Sequence, residues 1–457
     1  MAKSNHFKQQ IAGLLPSRDE VESYFDRLWP ICRSITGNGV RQSLAILQEL
    51  LPVELVEVPT GQKVLDWTVP KEWNIDDAFV EDESGRRVID FRKSNLHVLG
   101  YSVPVDQRLS LEDLQAHLYS LPEQPDAIPY LTTYYKERWG FCLEDRKRLA
   151  LKPGSYRAVI RSRLEAGSMT YGHRVLPSTT GGTDEILFSS YVCHPSMANN
   201  ELSGPLLVAF LYRAVSRLPQ RRFNYRFVLV PETIGAIAYL ASHGEHLRRH
   251  CKAGLVATCC GDDRAITYKR SRRADALIDR CVADVLEDYR RESGKPFSVV
   301  DFFPTGSDER QYCSPGFNLP VGSLMRSMYT DYPEYHTSLD DKSMISMAAL
   351  IESIDLYLRV CLSLENNETL CSTVPYGEPM LGPRGLYPTI GGALETKNIV
   401  NDMMYLFNYS DGEHDLCAVA RKAGCSILDL AAIAGPCKAA SLLEVYCEGN
   451  VKKGWKP

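Results

Sequence analysis

The sequence predicts an α/β protein in which helices cover both faces of a mostly parallel sheet, with an inserted mostly-β domain and a small helical domain at the C-terminus. Three observations lead to this prediction. Between residues 172 and 366, apolar runs of strand length alternate with apolar residues at helical spacing. Between residues 55 and 171, short strand-like runs are separated by turn residues and prolines. After residue 366, a proline-rich stretch precedes several short helical patterns.

The N-terminal residues predict helices. A capping-box pattern at residues 17–20 opens one helix, and apolar residues at helical spacing over residues 37–51 predict a second. Two helices are too few to fold alone. We therefore expect residues 1–54 to pack on the later sheet, which makes residues 55–171 an insertion.

The α/β core is predicted at residues 172–366. Alternating strands and helices are typical of a parallel sheet, because parallel strands need crossover connections. The apolar patterns place strands at 185–190, 223–230, 254–260 and 319–324, and helices at 205–218, 236–250, 274–291 and 343–364. Ligands bind at the carboxyl ends of strands in such sheets, so the loops after these strands are candidate sites.

Residues 367–457 predict a linker and a winged-helix-like domain. Short helical patterns occur at 398–407, 414–423 and 426–433, followed by a strand-like run at 439–445 and a Gly449-Asn450 turn. Winged helices often bind DNA. The third helix contains no Lys or Arg, so we favour a structural or pairing role over DNA binding.

Composition narrows the classes of partner. Of 457 residues, 44% are hydrophobic and 24% are charged, which is ordinary for a globular protein, and the net charge of −5 does not favour nucleic acid. The chain has no long apolar run and begins with a polar segment, so we expect neither a membrane span nor a signal peptide. The fourteen cysteines form no Cys-x-x-Cys pair, and we expect reduced thiols in a cytoplasmic protein. The sequence does not decide between a monomer and a homo-oligomer.

Four polar stretches mark a candidate catalytic site. His194 and Glu232 each follow a predicted strand, Asp308 lies in an acidic loop opened by a glycine, and His336 precedes the last long core helix. Histidines that hold zinc and a carboxylate that takes a proton from water are the parts of a metal-assisted hydrolase. The structural alternative is a capped loop around His194, a helix-start acid at 232 and a surface ion pair at 308.

Six motifs together resemble the zinc aminopeptidase superfamily, and within it an aminopeptidase-like branch found in polysaccharide and natural-product gene clusters. The motifs are Cys193-His194-Pro195, Pro231-Glu232-Thr233-Ile234-Gly235, Ser307-Asp308-Glu309-Arg310-Gln311, Tyr335-His336-Thr337-Ser338, Cys32-Arg33-Ser34-Ile35-Thr36-Gly37 and Tyr134-Tyr135-Lys136-Glu137-Arg138-Trp139-Gly140-Phe141-Cys142. The resemblance spans residues 32–340. It implies a peptidase core, an inserted β domain and a C-terminal winged helix, as the patterns also predict.

The resemblance implies roles for individual residues. His194 matches the first zinc ligand of the superfamily, and His336 matches the last. Glu232 matches the catalytic general base. Asp308 is expected to support the site rather than to bind the metal ion.

Two departures from the superfamily pattern concern the metal. The bridging aspartate ligand is replaced by Asn200, and a second glutamate ligand is replaced by Thr233. Glu201 supplies a carboxylate one position later, which we expect to point elsewhere. Asp262, or the aspartate after it, falls where the superfamily has a fourth ligand. Because Asn is a weak ligand for zinc, we expect about one zinc ion or less per chain.

The leading hypothesis is a metal-dependent hydrolase that acts on an amino-acid-derived amide or conjugate, in a biosynthetic pathway. Arg33, Tyr135 and Arg138 are candidate substrate-binding residues, since Arg suits a carboxylate, although they equally suit domain packing. A second hypothesis keeps Glu232 as acid and base in lyase, cyclase or transfer chemistry with weak or no metal. A third is a non-catalytic binding or scaffold protein.

Overall fold

The computed structural model of the chain describes residues 5–386 and 394–446. These residues form two compact units. The large unit comprises Pro16–Ala274 and Ser298–Ile354, and the small unit comprises the residues up to Leu15, Asp275–Phe297 and the residues from Asp355 onward. Within the described part, no helix combines the length and the apolar character that crossing a membrane requires.

The strands are named in chain order. They are β1 (Glu54–Pro59), β2 (Lys63–Val64), β3 (Trp67–Thr68), β4 (Glu72–Glu81), β5 (Arg87–Asp90), β6 (Val105–Ser110), β7 (Leu118–Tyr119), β8 (Phe141–Cys142), β9 (Ser155–Glu165), β10 (Ser168–Leu176), β11 (Glu185–Tyr191), β12 (Asn224–Val230), β13 (Cys251–Val256), β14 (Ile266–Lys269), β15 (Phe297–Val300), β16 (Val321–Met325), β17 (Thr369–Ser372), β18 (Asp411–Asp415) and β19 (Leu443–Val445).

The α-helices are named in the same way. They are α1 (Asn5–Ala12), α2 (Arg18–Leu28), α3 (Asn38–Leu47), α4 (Leu111–Gln115), α5 (Asp145–Leu149), α6 (Ser203–Ser216), α7 (Ile234–His250), α8 (Leu277–Ser293), α9 (Glu309–Tyr312), α10 (Met347–Asn366), α11 (Leu394–Asn408), α12 (Leu416–Ala423) and α13 (Ile427–Ala439).

The largest sheet has eight strands in the order β1-β10-β12-β11-β13-β16-β14-β15. Its four central strands, from β12 to β16, run parallel, whereas β1 and β10 on one side and β14 on the other pair antiparallel with their neighbours. Every residue of the central strand β11 is buried, as expected when helices cover both faces. The prediction of an α/β fold with a mainly parallel sheet is confirmed.

The direction of the connections changes between β11 and β12. Helix α6 leads from β11 to its neighbour β12, and α7 leads from β12 back past β11 to β13. Right-handed crossovers in opposite directions lie on opposite faces, so α6 and α7 cover the two faces of the sheet. The crevice between the carboxyl ends of β11 and β12 is therefore a topological switch point, where open α/β sheets bind ligands.

The chain between β1 and β10 forms a second, antiparallel sheet in the order β5-β4-β9-β6. Its strands bury Ala78, Val80 and Ile160. By contrast, β1 and β10 pair with each other in the large sheet, with Leu55 opposite Gly172. The two ends of the segment 55–171 thus belong to the large sheet, and the limits of the inserted domain stay a prediction.

The small unit contains the winged-helix-like region. Strand β17 pairs with β18 and β19, and helices α11, α12 and α13 contact one another. Asp415 caps α12 by accepting a hydrogen bond from the Ala418 N–H. The helix predicted at 414–423 begins at Leu416, because the preceding residues form β18. The predicted Gly449-Asn450 turn lies outside the described residues.

Candidate active site at the β11 and β12 strand ends

Two strand ends bring His194 and Glu232 together. Tyr191 lies opposite Val230 at the ends of β11 and β12, and the Val192 N–H donates to the Val230 carbonyl at 2.8 Å. This register places the two side chains side by side at the switch point, with 3.5 Å between His194 Nε2 and Glu232 Oε2. The residues predicted as a metal ligand and as the general base are therefore neighbours.

Glu201 lies on the other side of the His194 ring. Its Oε2 accepts a hydrogen bond of 2.8 Å from His194 Nδ1, and Arg33 Nε lies 3.8 Å from its Oε1. Burial lowers the pKa of His194, but the hydrogen bond and the charge of Glu201 outweigh burial and raise it. Glu201 thus contacts Nδ1 and not Nε2, so it does not take the place of the bridging aspartate. The π-helical turn Ala198–Leu202 holds one residue more than an α-helical turn and so directs Glu201 toward His194.

Asp308 supports the loop that carries Glu232. Its Oδ1 accepts a hydrogen bond of 2.7 Å from the Thr233 N–H, and Arg310 donates to Thr233 Oγ1 at 2.7 Å. Burial raises the pKa of Glu232, against the opposing charges of His194 and Arg310. Burial and the charge of Glu232 raise the pKa of Asp308 well above its ordinary value. This position suits the supporting role predicted for Asp308.

His336 reaches the same place from a distant loop. Its ring centroid lies 5.4 Å from that of His194, and its ring stacks on Tyr335 at 3.9 Å. Its Nε2 is buried and has no hydrogen-bond partner among the described residues. Burial and the charge of His194 lower the pKa of His336 to about 3. The ring is therefore neutral, which is the form in which imidazole binds a metal ion.

Asn200 and Asp262 differ in what they offer to a metal ion. Asn200 Nδ2 donates to the Tyr191 hydroxyl at 2.9 Å, while its Oδ1 is buried without a partner among the described residues. Asp262 accepts hydrogen bonds at both oxygens, from Asn199 Nδ2 at 2.7 Å and from the Ser327 hydroxyl at 3.0 Å. These bonds do not support the prediction that Asp262 is a ligand, because they occupy the carboxylate in holding two loops together.

The donor set fits one metal ion better than two. His194 Nε2, His336 Nε2 and Asn200 Oδ1 provide two imidazole nitrogens and one neutral oxygen, close to the three protein ligands of catalytic zinc sites. The carboxylate of Glu201 behind His194 Nδ1 is the usual support for a metal-binding histidine. Cys193 forms a group with His194 and Glu201, in which the possible ligand atoms all lie within 4.8 Å of one another. Burial raises the pKa of the Cys193 thiol well above its ordinary value, which opposes a thiolate ligand.

The three predicted substrate-binding residues are not brought together. The Arg33 side chain is fully buried and donates to the backbone carbonyls of Leu28 and His194 at 2.7 and 2.9 Å. It therefore holds the His194 loop, which is the packing role that the sequence left open beside substrate binding. Tyr135 is 54% exposed and Arg138 is exposed, whereas His194 is buried.

Sequence reasoning missed Tyr130 and Tyr134. The ring of Tyr130 lies 5.0 Å from that of His194 and 5.3 Å from that of His336, and its hydroxyl lies 3.1 Å from the Tyr134 hydroxyl. Burial raises the pKa of both phenols well above the ordinary value. The Tyr134–Cys142 motif signalled this region. The positive φ of 34° at Tyr134 leaves no trace in the sequence pattern.

Strained backbone surrounds the site. Ser196, Thr233, Cys259 and His336 have φ values of 39°, 64°, 51° and 55°, in the left-handed region that favours glycine. For a β-branched residue such as Thr233 this conformation is an outlier. Such strain concentrates at functional sites, where the surrounding contacts hold it in place.

Comparison with known families identifies the large part of the chain. The family described as a domain of unknown function, DUF4910, matches residues 23–367. The chain belongs to the DUF4910 family. A winged helix-turn-helix family matches residues 368–445 of this DUF4910 protein, which confirms the predicted winged helix.

Relatives agree with the fold. The DUF4910 chain is 46% identical, over 89% of its length and 91% of the other, to a Clostridium acetobutylicum protein whose name describes a polysaccharide biosynthesis protein with an aminopeptidase-like domain. A C. acetobutylicum crystal structure described as a peptidase shares 42% identity and a TM-score of 0.88, covering 97% of this chain and 99% of that one. A Bacillus subtilis zinc aminopeptidase shares the fold with a TM-score of 0.55 at 12% identity, covering 77% of this chain and 95% of that one.

Proposed function

We propose that this protein is a metal-dependent amide hydrolase of the aminopeptidase-like fold, which acts on an amino-acid-derived amide or conjugate. The observation that carries the proposal is the position of His194 between Glu201 at Nδ1 and Glu232 at Nε2. One nitrogen of the imidazole is held by the buried carboxylate of Glu201, and the other faces the carboxyl group of Glu232, whose pKa is raised. The name of the C. acetobutylicum relative supports a role in biosynthesis.

His194, His336 and Asn200 are the residues that would hold a zinc ion. When bound, such an ion polarises a carbonyl oxygen and makes water more acidic. Glu232 then takes the proton from the attacking water and returns it to the leaving amine, as a general base and acid. Its raised pKa suits both halves of this task, because a more basic carboxylate binds the proton more readily and the acid that forms can release it again.

The test compares Glu232→Gln and His336→Ala with wild type on a panel of aminoacyl 4-nitroanilides and aminoacyl amides, with metal content measured in parallel. We expect about one zinc or less per chain in wild type, its loss in His336→Ala, and at least ~100-fold slower hydrolysis in Glu232→Gln with metal retained. Glu165→Gln, an exposed residue of β9, is the matched control. Full activity of Glu232→Gln, or two tightly held metals per chain, would contradict the assignment.

Asn200→Asp restores the aspartate that the superfamily has at the position of the bridging ligand. A carboxylate at this position adds a negative charge to the donor set, so we expect metal affinity to rise by at least ~10-fold. Hydrolysis of simple aminoacyl amides is expected to rise with it. Unchanged metal affinity would mean that Asn200 Oδ1 does not face the ion.

The same geometry favours a second candidate function, in which the site works without a metal as a lyase, cyclase or transferase. The His194 ring lies between the carboxyl groups of Glu201 and Glu232, and its raised pKa favours the protonated form, so an acid and a base stand side by side without a metal ion. Activity that survives exhaustive treatment with a chelator but is lost in Glu232→Gln would select this function over hydrolysis.

A further inference from the structure

A cavity apart from the candidate active site lies beside the segment that carries the Cys32–Gly37 motif. Its volume is about 600 Å³, within the range of small-molecule sites. Trp29 and the motif residues form one wall, and residues 91–95 of the inserted domain form another. His194, Glu232 and His336 do not line this cavity.

The cavity contains a buried polar atom without a partner. Asn95 is only 9% exposed, and its Oδ1 has no hydrogen-bond partner among the described residues. An unsatisfied buried acceptor costs free energy unless a ligand or water satisfies it. Asn95 lines the cavity and also a smaller void beside Tyr130. The residue is therefore placed to receive a donor group from a bound molecule.

Four amide side chains contribute to the polar lining. Asn38, Gln42 and Asn74 line the cavity in addition to Asn95. An amide group both donates and accepts hydrogen bonds, which matches the paired donor and acceptor character of sugar hydroxyl groups. Trp29 is partly exposed at the wall and adds an indole surface on which an apolar ring face can pack.

The charge of the lining is opposite to that of the chain. The net charge is −5, yet the lining contains three basic residues, Arg92, Lys93 and Arg163, and a single acidic one, Asp76. Arg163 pairs with Asp76 at 2.5 Å, and Arg92 pairs with an aspartate outside the lining at 3.1 Å. Lys93 is exposed and makes no ion pair within residues 5–386 and 394–446, so its charge is available to an anion.

We propose that this cavity binds an anionic saccharide of one or two rings, in which the hydroxyl groups meet the amides and a phosphate or carboxylate group meets Lys93. This site is separate from the proposed hydrolytic site and does not depend on it. Ser196, two residues after His194, lies at the cavity, and its hydroxyl donates to the Trp29 carbonyl at 3.1 Å. A ligand here therefore contacts the rear of the loop that presents His194.

Isothermal titration calorimetry of the full chain tests the proposal with glucose 1-phosphate, glucuronate, neutral glucose and inorganic phosphate. We expect the two anionic sugars to bind more tightly than glucose or phosphate alone. Lys93→Glu should weaken both by about tenfold, whereas Lys63→Glu, an equal charge change at an exposed residue outside the cavity, should leave binding unchanged. Asn95→Asp, which sets a negative charge in the cavity, should abolish binding.

Glu232→Gln separates the two sites, since it should bind the anionic sugars as wild type does even when the hydrolytic proposal fails. If Asn95→Asp does not fold, Lys93→Glu still tests the proposal, because Lys93 is exposed and its substitution should not disturb folding. Three results would overturn the proposal. They are no binding of either anionic sugar at about 10 mM, equal binding of phosphate alone, and equal affinity in Lys93→Glu and wild type.

Discussion

The carboxylate of Glu201 is expected to hold the active-site loop in place through charge, and Glu201→Gln removes that charge with little change of shape. Arg33 Nε lies 3.8 Å from Glu201 Oε1, and both side chains are fully buried. At this distance of 3.8 Å, an effective dielectric constant of about 20 makes the attraction about 4 kcal/mol. Because the variant leaves Arg33 as a buried cation without its counter-charge, we expect a loss of about 3–5 kcal/mol in the free energy of unfolding.

The loss should depend on pH through His194. Glu201 raises the pKa of His194 in the folded protein above its ordinary value of about 6.5. The resulting stability is fully present below about pH 6.5 and disappears as the pH rises through the raised pKa. The difference between wild type and Glu201→Gln should therefore be largest below about pH 6.5 and should shrink as the pH rises through the raised pKa of His194, until only the Arg33 contribution remains.

Urea unfolding of chelator-treated protein, followed by tryptophan fluorescence, measures this difference, and NMR of the imidazole groups measures the pKa of His194. Glu165→Gln, at an exposed position, should stay within about 0.5 kcal/mol of wild type. The reasoning is refuted if Glu201→Gln is as stable as that control, or if the pKa of His194 stays where it is in wild type.

Two further buried carboxyl groups yield predictions measured by the same unfolding assay. Burial raises the pKa of Asp340 to about 7 from 3.8, although backbone N–H groups oppose the shift. Stability should therefore fall by about 4 kcal/mol between about pH 4 and pH 7, and Asp340→Asn should remove this fall. Lys269 Nζ lies 2.7 Å from Glu309 Oε1 with both side chains fully buried, so Glu309→Gln should cost about 3–5 kcal/mol. The double variant Lys269→Met with Glu309→Leu should recover most of the stability lost in Glu309→Gln. No recovery would mean that the unpaired charge of Lys269 is not the cause of that loss.

The central strands and the positions of His194 and Glu232 could be predicted from sequence for one physical reason. Strands of a parallel sheet are continuous apolar runs, and polar residues that follow two such runs lie at the same edge. The approach of His336 from a loop more than 100 positions later was supported by motif resemblance and not by periodicity.

Side-chain direction in loops was harder to predict. Glu201 reaches His194 from a single π-helical turn, and both oxygens of Asp262 are engaged by Asn199 and Ser327. Tyr130 was missed because it precedes the motif that drew attention to Tyr135. In each case, the decisive contact joins residues far apart in the chain or depends on one backbone angle, and neither leaves a periodic signal.

The strand-like contact between the inserted segment and the His336 loop also bears on the order of folding. The Ile128 N–H donates to Ser338 Oγ across 210 positions of sequence, and the Tyr130 N–H donates to the His336 carbonyl at 2.8 Å. Closing so long a loop carries an entropic cost that local contacts must first offset, and such pairings form slowly. During synthesis, the large sheet and the insertion can therefore form before Tyr130 and His336 meet, so the pocket around His194 should close late in the folding of the large unit.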